Sequence, residues 1–232
     1  MADVITPTTP ALANFNFNDV AQGVSNVVFY GGNHVDTGGS DEVFSNSTFY
    51  SSWIVHKAYD ERLDTYTEKL NVDFDLTFGA PRIVNGNVIV NVPMAMGDAH
   101  AGAETETVGV RGQFLLYHVT SGGTETELGD KTTEDYEQSL SDNAQAGIMY
   151  CEFFSVTNQK FRVGEKLRLT VKLFAKNEND RYKVWGIGCD PQNRNDVQGN
   201  GTAGGNPSQA WLCFPDNVDT NLIIQVPFKI DI

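Results

Sequence analysis

Four histidines and three cysteines are the residues best suited to hold a metal or to carry a nucleophile. A zinc site needs such ligands brought together, commonly with one pair at short spacing. His34, His56, His100 and His118 are scattered, and none lies within four residues of another histidine or of a cysteine. They read as ordinary surface or core histidines. Calcium has more to offer: Asp196, Gln198, Asn200 and Gly201 imitate the opening of a calcium loop. The twelfth position of that loop falls on Pro207 instead of a bidentate Glu, so the EF-hand pattern fails. Asp190, Asn193, Asn195 and Asp196 could still form an irregular oxygen cage. The simpler reading is a polar loop whose Asx side chains bond their own backbone.

Acyl transfer finds no Gly-x-Ser-x-Gly, and Ser, His and Asp share no context that would place them together. The carboxylate pairs Glu104 with Glu106 and Asp73 with Asp75 are two apart, so each pair shares a strand face. An exposed acidic face accounts for them, whereas glycoside hydrolysis needs carboxyls across a cleft. The sequence therefore predicts no enzyme, no catalytic residue, no metal and no cofactor. Trp53, Trp185 and Trp211, with Tyr50, Tyr59 and Tyr182, could stack on sugar rings, or could simply pack. Trp185 stands beside Gly186 in a strand-like run and reads as core, whereas Trp211 lies near an insertion and is the candidate glycan-binding residue.

The elements that must carry these residues are strands. The chain has 232 residues, 40% hydrophobic and 20% charged, which suits one large β-domain and excludes wholesale disorder. No apolar run approaches the roughly 20 residues of a membrane-crossing helix. A net charge of −14 argues against a phosphate-backbone binder. Leu70, Val72, Phe74, Leu76 and Phe78 alternate with polar residues, as do Leu167, Leu169, Val171, Leu173 and Ala175. Leu222, Ile224, Val226, Phe228 and Ile230 form a third such set. Period-2 alternation of this kind marks strands with one buried and one wet face. Further strands are expected at Val27–Tyr30, at Phe49–Lys57 and along Val108, Val110, Phe114 and Leu116, with a turn at Ser121-Gly122-Gly123. Asn85-Gly86 suits a two-residue hairpin turn, and the loop at 177–180 is expected to return the chain into a strand at 182–187. Only Thr133–Ala146 could hold a short helix. Eight or nine strands with turns between them predict an all-β, antiparallel β-sandwich, with a jelly roll as first choice.

Residues 1–24, rich in Pro, Thr, Asn and Ala, read as an extended arm ahead of a single domain over 25–232. Phe15 and Phe17 are two apart, so in an extended arm they point to one side and can enter a partner's groove together. The first residues lack the basic start and apolar centre of a secretory signal. Cys151, Cys189 and Cys213 are odd in number and widely spaced, and are expected to be three buried free thiols. A single bridge from Cys189 to Cys213 is the other possibility.

The closing third contains Phe161-Arg162-Val163-Gly164-Glu165-Lys166-Leu167-Arg168-Leu169, then Gly186-Ile187-Gly188-Cys189-Asp190-Pro191-Gln192-Asn193-Arg194, and finally Val226-Pro227-Phe228-Lys229-Ile230-Asp231. This stretch resembles small virion structural proteins of tailed bacteriophages. Those carry a similar hairpin, a Gly-x-Gly or His before Asp-Pro-x-Asn-Arg, and a chain-terminal strand of the same kind. Arg82 to Leu128 matches more loosely, and Cys189 departs from the pattern. The resemblance implies a capsid decoration or minor capsid protein, made in the host cytoplasm and placed in the virion. It would dock on the major capsid protein or other virion proteins as a homo-oligomer, with no nucleic acid or membrane as direct partner. The competing expectation is a carbohydrate-binding jelly roll, such as a virion adhesin that contacts host glycans.

Overall fold

Alternating apolar residues need a face to bury, and the described residues supply twelve strands that bury theirs against one another. The computed structural model describes residues 24–36, 39–49, 51, 54–58, 61–98, 105–141, 144–179, 183–193 and 218–229. In order these are β1 (Val24–Asp36), β2 (Gly39–Ser45), β3 (Ile54–Ala58), β4 (Leu63–Thr77), β5 (Arg82–Asp98) and β6 (Glu106–Val119). They continue as β7 (Glu125–Thr132), β8 (Tyr136–Leu140), β9 (Gln145–Phe161), β10 (Lys166–Asn177), β11 (Lys183–Ile187) and β12 (Leu222–Lys229). Among the described residues there is no helix. The protein is all-β and almost entirely antiparallel. Its one parallel bridge among the described residues joins Val43 of β2 to Asp75 of β4.

By hydrogen bonding the strands form one sheet of twelve, whose two halves touch face to face as two layers. β5 pairs along one edge with the whole of β9, so its other edge must take both β12, near Val84–Asn91, and β11, near Met94–Asp98. β1 then follows β12, and β3 follows β11. In the second layer β10 lies between β4 and β6, and the far edge of β6 is shared by β7 and β8. The β1–β2 hairpin carries the chain from one layer to the other. The layers meet face to face: Phe114 of β6 touches Tyr150 of β9 with ring centroids 6.3 Å apart. Tyr150 Oη also donates to the Val110 carbonyl of β6 at 3.1 Å. Between them lies the core, including Phe74, Val90, Met94, Phe114, Leu169, Val171 and Ile224, all without solvent exposure.

Take β1, β4, β5, β6, β7, β9, β10 and β12 as first to eighth in chain order. One layer runs first, eighth, third, sixth, and the other second, seventh, fourth, fifth. Successive strands therefore cross between layers at almost every step.

The inward set expected in β10 faces the core, with Leu167, Leu169, Val171, Leu173 and Ala175 all fully buried. In the other two sets Phe74, Leu76, Phe78, Leu222, Ile224 and Val226 are buried, Leu70, Val72 and Phe228 are half-buried against the core, and Ile230 lies outside the described residues. The turn at 121–123 also forms: Gly123 N–H donates to the Thr120 carbonyl at 2.9 Å. Three local expectations are corrected. Asn85-Gly86 is not a hairpin turn, because Val84, Val88 and Val90 remain in phase across it and β5 runs straight through. The irregularity is a bulge, with Asn158 of β9 at φ 47° and its N–H held by Asn85 Oδ1 at 3.1 Å. Gly86 takes φ 130° there, a conformation open to glycine. The expected helix at 133–146 is instead strand β8, which completes the far edge of β6. The strand expected at 182–187 forms as β11, but it pairs with β3 and β5 and not with β10. Both edges of β10 are taken, so β11 crosses to the other layer.

Candidate interaction site

Outward residues of the second layer are charged, and the ladder places opposite signs side by side. Arg168 on β10 sits directly across from Asp75 on β4. Its Nε and Nη2 donate to the two oxygens of Asp75 at 2.7 and 2.9 Å, a bidentate pair. Lys166 Nζ adds a third bond to Asp75 at 2.7 Å. Arg168 Nη1 reaches Glu125 at 2.7 Å and Asp73 at 3.0 Å, and Thr170 Oγ1 donates to Asp73 at 2.6 Å. Asp73, Asp75, Lys166 and Arg168, with Glu42, Val43 and Thr77, line a cavity of about 350 Å³. Every cation in it is already matched by a carboxylate, so the cluster joins strands and leaves no cation free for a ligand.

Asp75 makes this network sensitive to acid. Burial pushes its carboxyl up, but the hydrogen bonds and charges of Arg168 and Lys166 overcome that push and hold it below the ordinary carboxylate range. A depressed folded-state value stabilises the fold above the unfolded carboxylate pKa of about 3.9, and that stability is lost as pH falls through the folded value. Thermal melts between pH 7 and 2 should therefore show an acid-side loss of stability that Asp75→Asn reduces. An unchanged acid limb in that variant would remove Asp75 as a contributor.

A second cavity, of about 590 Å³, is lined by Pro81, Arg82, Ile83, Lys160, Phe161, Arg162 and Lys229. It lies where β5 begins and where β9 and β12 end. Lys160 pairs across the ladder with Ile83, and Phe228 with Val84, so Lys229 falls level with Ile83 on its other side. Arg82 stands opposite Phe161 at the end of the same ladder. All four cations are exposed. Eight other Lys and Arg side chains among the described residues make ion pairs: Arg62, Lys69, Arg111, Lys166, Arg168, Lys172, Lys176 and Lys183. The four around this cavity have no carboxylate within 4.0 Å among the described residues. The nearby Glu165 is otherwise engaged. Its Oε2 accepts the Arg162 backbone N–H at 2.8 Å and meets His118 Nε2 at 2.9 Å. Those bonds, the backbone one first, hold its carboxyl below the usual range.

The residues singled out from the sequence have varied fates. Phe15, Phe17 and Trp211 lie outside the described residues, as do Cys213, Asn195 and Asp196. Trp185 is fully buried and donates its indole N–H to the Gly109 carbonyl at 3.1 Å, so it packs and offers no sugar platform. Cys189 is a buried thiol, pushed up to about 12 by burial and unsuited to act as a nucleophile. Cys151 corrects the expectation of three buried thiols: it points outward from β9 while Tyr150 beside it points in. The Asp190 side chain bonds the backbone of its own turn, whereas Asn193 ties that turn to the segment before β12. Gln192 N–H donates to Asp190 Oδ1 at 3.2 Å, and Thr220 N–H donates to Asn193 Oδ1 at 2.7 Å. His118 has both ring nitrogens engaged, Nε2 by Glu165 and Nδ1 by Gln159 at 3.1 Å. Among the described residues no cluster of three His, Cys, Asp or Glu could hold a metal ion.

Two features escape a reading of the sequence. Glu106, expected on an exposed acidic face, is buried in an ion pair with Lys183, itself fully buried. The one available signal is a lysine at the head of the otherwise apolar run Val184-Trp185-Gly186-Ile187. The basic cavity has no local signal at all, because its cations come from three separate stretches of chain.

No family model matches the chain. No curated protein matches it. Among solved structures it is similar to a CocE/NonD family hydrolase from Staphylococcus aureus, at 11% identity and TM-score 0.41, over 88% of this chain and 36% of the hydrolase. It is also similar to a chain of infectious bursal disease virus, Gt strain, at 9% identity and TM-score 0.23, over 86% of this chain and 42% of the viral one. The chain thus spans less than half the length of these proteins. At such scores neither likeness carries an argument about activity.

Proposed function

We propose that the protein is a non-enzymatic virion structural component, a capsid decoration or minor capsid protein of a tailed bacteriophage that docks on the shell as a homo-oligomer. The observation that carries this reading is the interleaved strand order over a single core. We infer that this order is a jelly roll, a double Greek key used by viral capsid domains and by lectins. The charged face of β4, β10 and β6 adds support, since its groups bond one another across strands and stiffen a tile. The sequence resemblance of the closing third points the same way. Fold alone would not choose between capsid and lectin.

The test is to quantify the chain in purified tailed particles by mass spectrometry, and to size the isolated protein by light scattering. A copy number comparable with the shell subunit is expected. A handful of copies per particle would move it to a vertex or the tail. Absence from particles together with binding on a glycan array would overturn the proposal in favour of a lectin.

A further inference from the structure

We propose that the outer face of the layer formed by β1, β12, β5 and β9 is the surface through which two copies of this chain pair about a two-fold axis. The proposal rests on the homo-oligomer part of the reading above for its occupant, and on strand register for its geometry.

Register fixes what this face presents. Val28, Gln225, Ile89 and Phe153 stand in one row across the four strands. Tyr30, Ile223, Asn91 and Cys151 form the next row. The intervening Phe29, Ile224 and Val90 turn toward the core, so both rows face outward. Neither row holds an Asp, Glu, Lys or Arg, although 20% of the chain is charged. On the opposite layer the outward residues of β4 and β10 include Asp73, Asp75, Lys166 and Arg168. Lack of charge therefore belongs to this face and not to outward positions in general. Val28 and Phe153, at the two ends of the first row, are 38% and 55% exposed, two of the three large apolar side chains so exposed among the described residues. Lys131 of β7 lies 5.4 Å from the centroid of the Phe153 ring without covering it. Exposed apolar groups gathered among uncharged polar ones mark a surface for another protein.

Charge then chooses the occupant. A charged partner, acidic or basic, finds no counter-charge in these rows. Two copies of a chain of net charge −14 repel wherever their acidic surfaces meet, and the rows are a place where they do not. A two-fold interface uses the same patch twice, so a residue on the axis meets its own copy. A charge there would oppose itself. Val28, Ile89 and Phe153 can instead pack on themselves, and the Gln225 amide can both donate to and accept from its copy. The axis runs across the strands, along this row. Beyond one end of the rows the same face carries Lys160 and Lys229, level with Ile83. An axis across the strands sends these cations to opposite ends of the pair, whereas one along the strands would stack them on each other. The row of Tyr30 and Cys151 then meets Asn26, Asn87 and Ser155 of the copy, which are exposed and also uncharged. Four strands about 4.8 Å apart make a patch small beside a permanent interface, so pairing in the micromolar range is expected.

The test is sedimentation equilibrium of the full chain from about 1 μM to about 1 mM, where a reversible monomer–dimer equilibrium is expected. Val28→Glu and Val28→Lys should each weaken it by about tenfold or more, because each sets like charges against each other on the axis. An equimolar mixture of those two variants should recover a heterodimer. Phe153→Glu should weaken pairing from the other end of the row. Asn71→Glu, on the outer face of the opposite layer beside Lys172, should leave it unchanged. All three positions are exposed, so the variants should melt with the parent protein. A chain that stays monomeric throughout, an undiminished dimer in Val28→Lys, or a mixture that stays monomeric would overturn the proposal. Copy number in particles judges the virion reading separately, so either can fail without the other.

Discussion

Replacing Lys183 with Met should lower the unfolding free energy by about 3–5 kcal/mol, the cost of leaving a buried carboxylate without its ion partner. Lys183 opens β11 in one layer, and Glu106 opens β6 in the other, and both are fully buried in the pair that joins them. Removing either side chain leaves the other charge in a low-dielectric interior, where its own solvation is gone. Glu106→Leu should therefore be about as damaging as Lys183→Met. The double variant, which removes both charges and keeps apolar volume, should recover much of the loss. Urea unfolding of the two single variants and the double variant measures this. Single variants within about 1 kcal/mol of the parent would place the pair among ordinary surface salt bridges.

Trp185→Ala should cost a similar amount, about 3–5 kcal/mol, by opening a cavity at the centre of the molecule. Trp185 is among the largest fully buried side chains, and it stands between β3 and β5 on a strand whose five residues are all buried. Its ring contributes packing, and its Nε1–H contributes a bond to the Gly109 carbonyl of the opposite layer. Trp185→Phe separates the two: it keeps most of the apolar contact but withdraws the donor from a buried carbonyl, a loss of about 1–3 kcal/mol. A Phe variant as unstable as the Ala variant would mean that the apolar bulk Phe retains adds nothing and the indole donor carries the loss. One as stable as the parent would mean that the interlayer bond adds nothing.

Both effects sit at contacts between layers, and that is where the sequence is least informative. The fold class was legible because alternation is a local property. Leu167 to Ala175 and Leu222 to Val226 show in their own order which side of each strand must leave water, and the structure buries those residues. The Ser121-Gly122-Gly123 turn was legible for the same reason, being a matter of backbone freedom over a few residues. Strand β9 was not: a bulge at Asn158 interrupts its phase, and Phe153 lies on its exposed face, so its pattern is blurred. Asn85-Gly86 misled because a dipeptide that permits a turn does not compel one when apolar residues on both sides stay in phase.

The sequence by itself determined that this chain is all-β and which faces of its clearest strands turn inward. Only the tertiary structure decided which strand lies beside which. Every backbone edge offers the same N–H and C=O groups, so pairing is chosen by the sum of distant contacts and not by any local signal. That choice crosses β11 to the other layer, where Lys183 meets Glu106. It also brings Arg82, Lys160, Arg162 and Lys229 to one cavity from three separate stretches of chain. Charges that are far apart in sequence reveal neither a partner nor a shared site until long-range pairing fixes their neighbours.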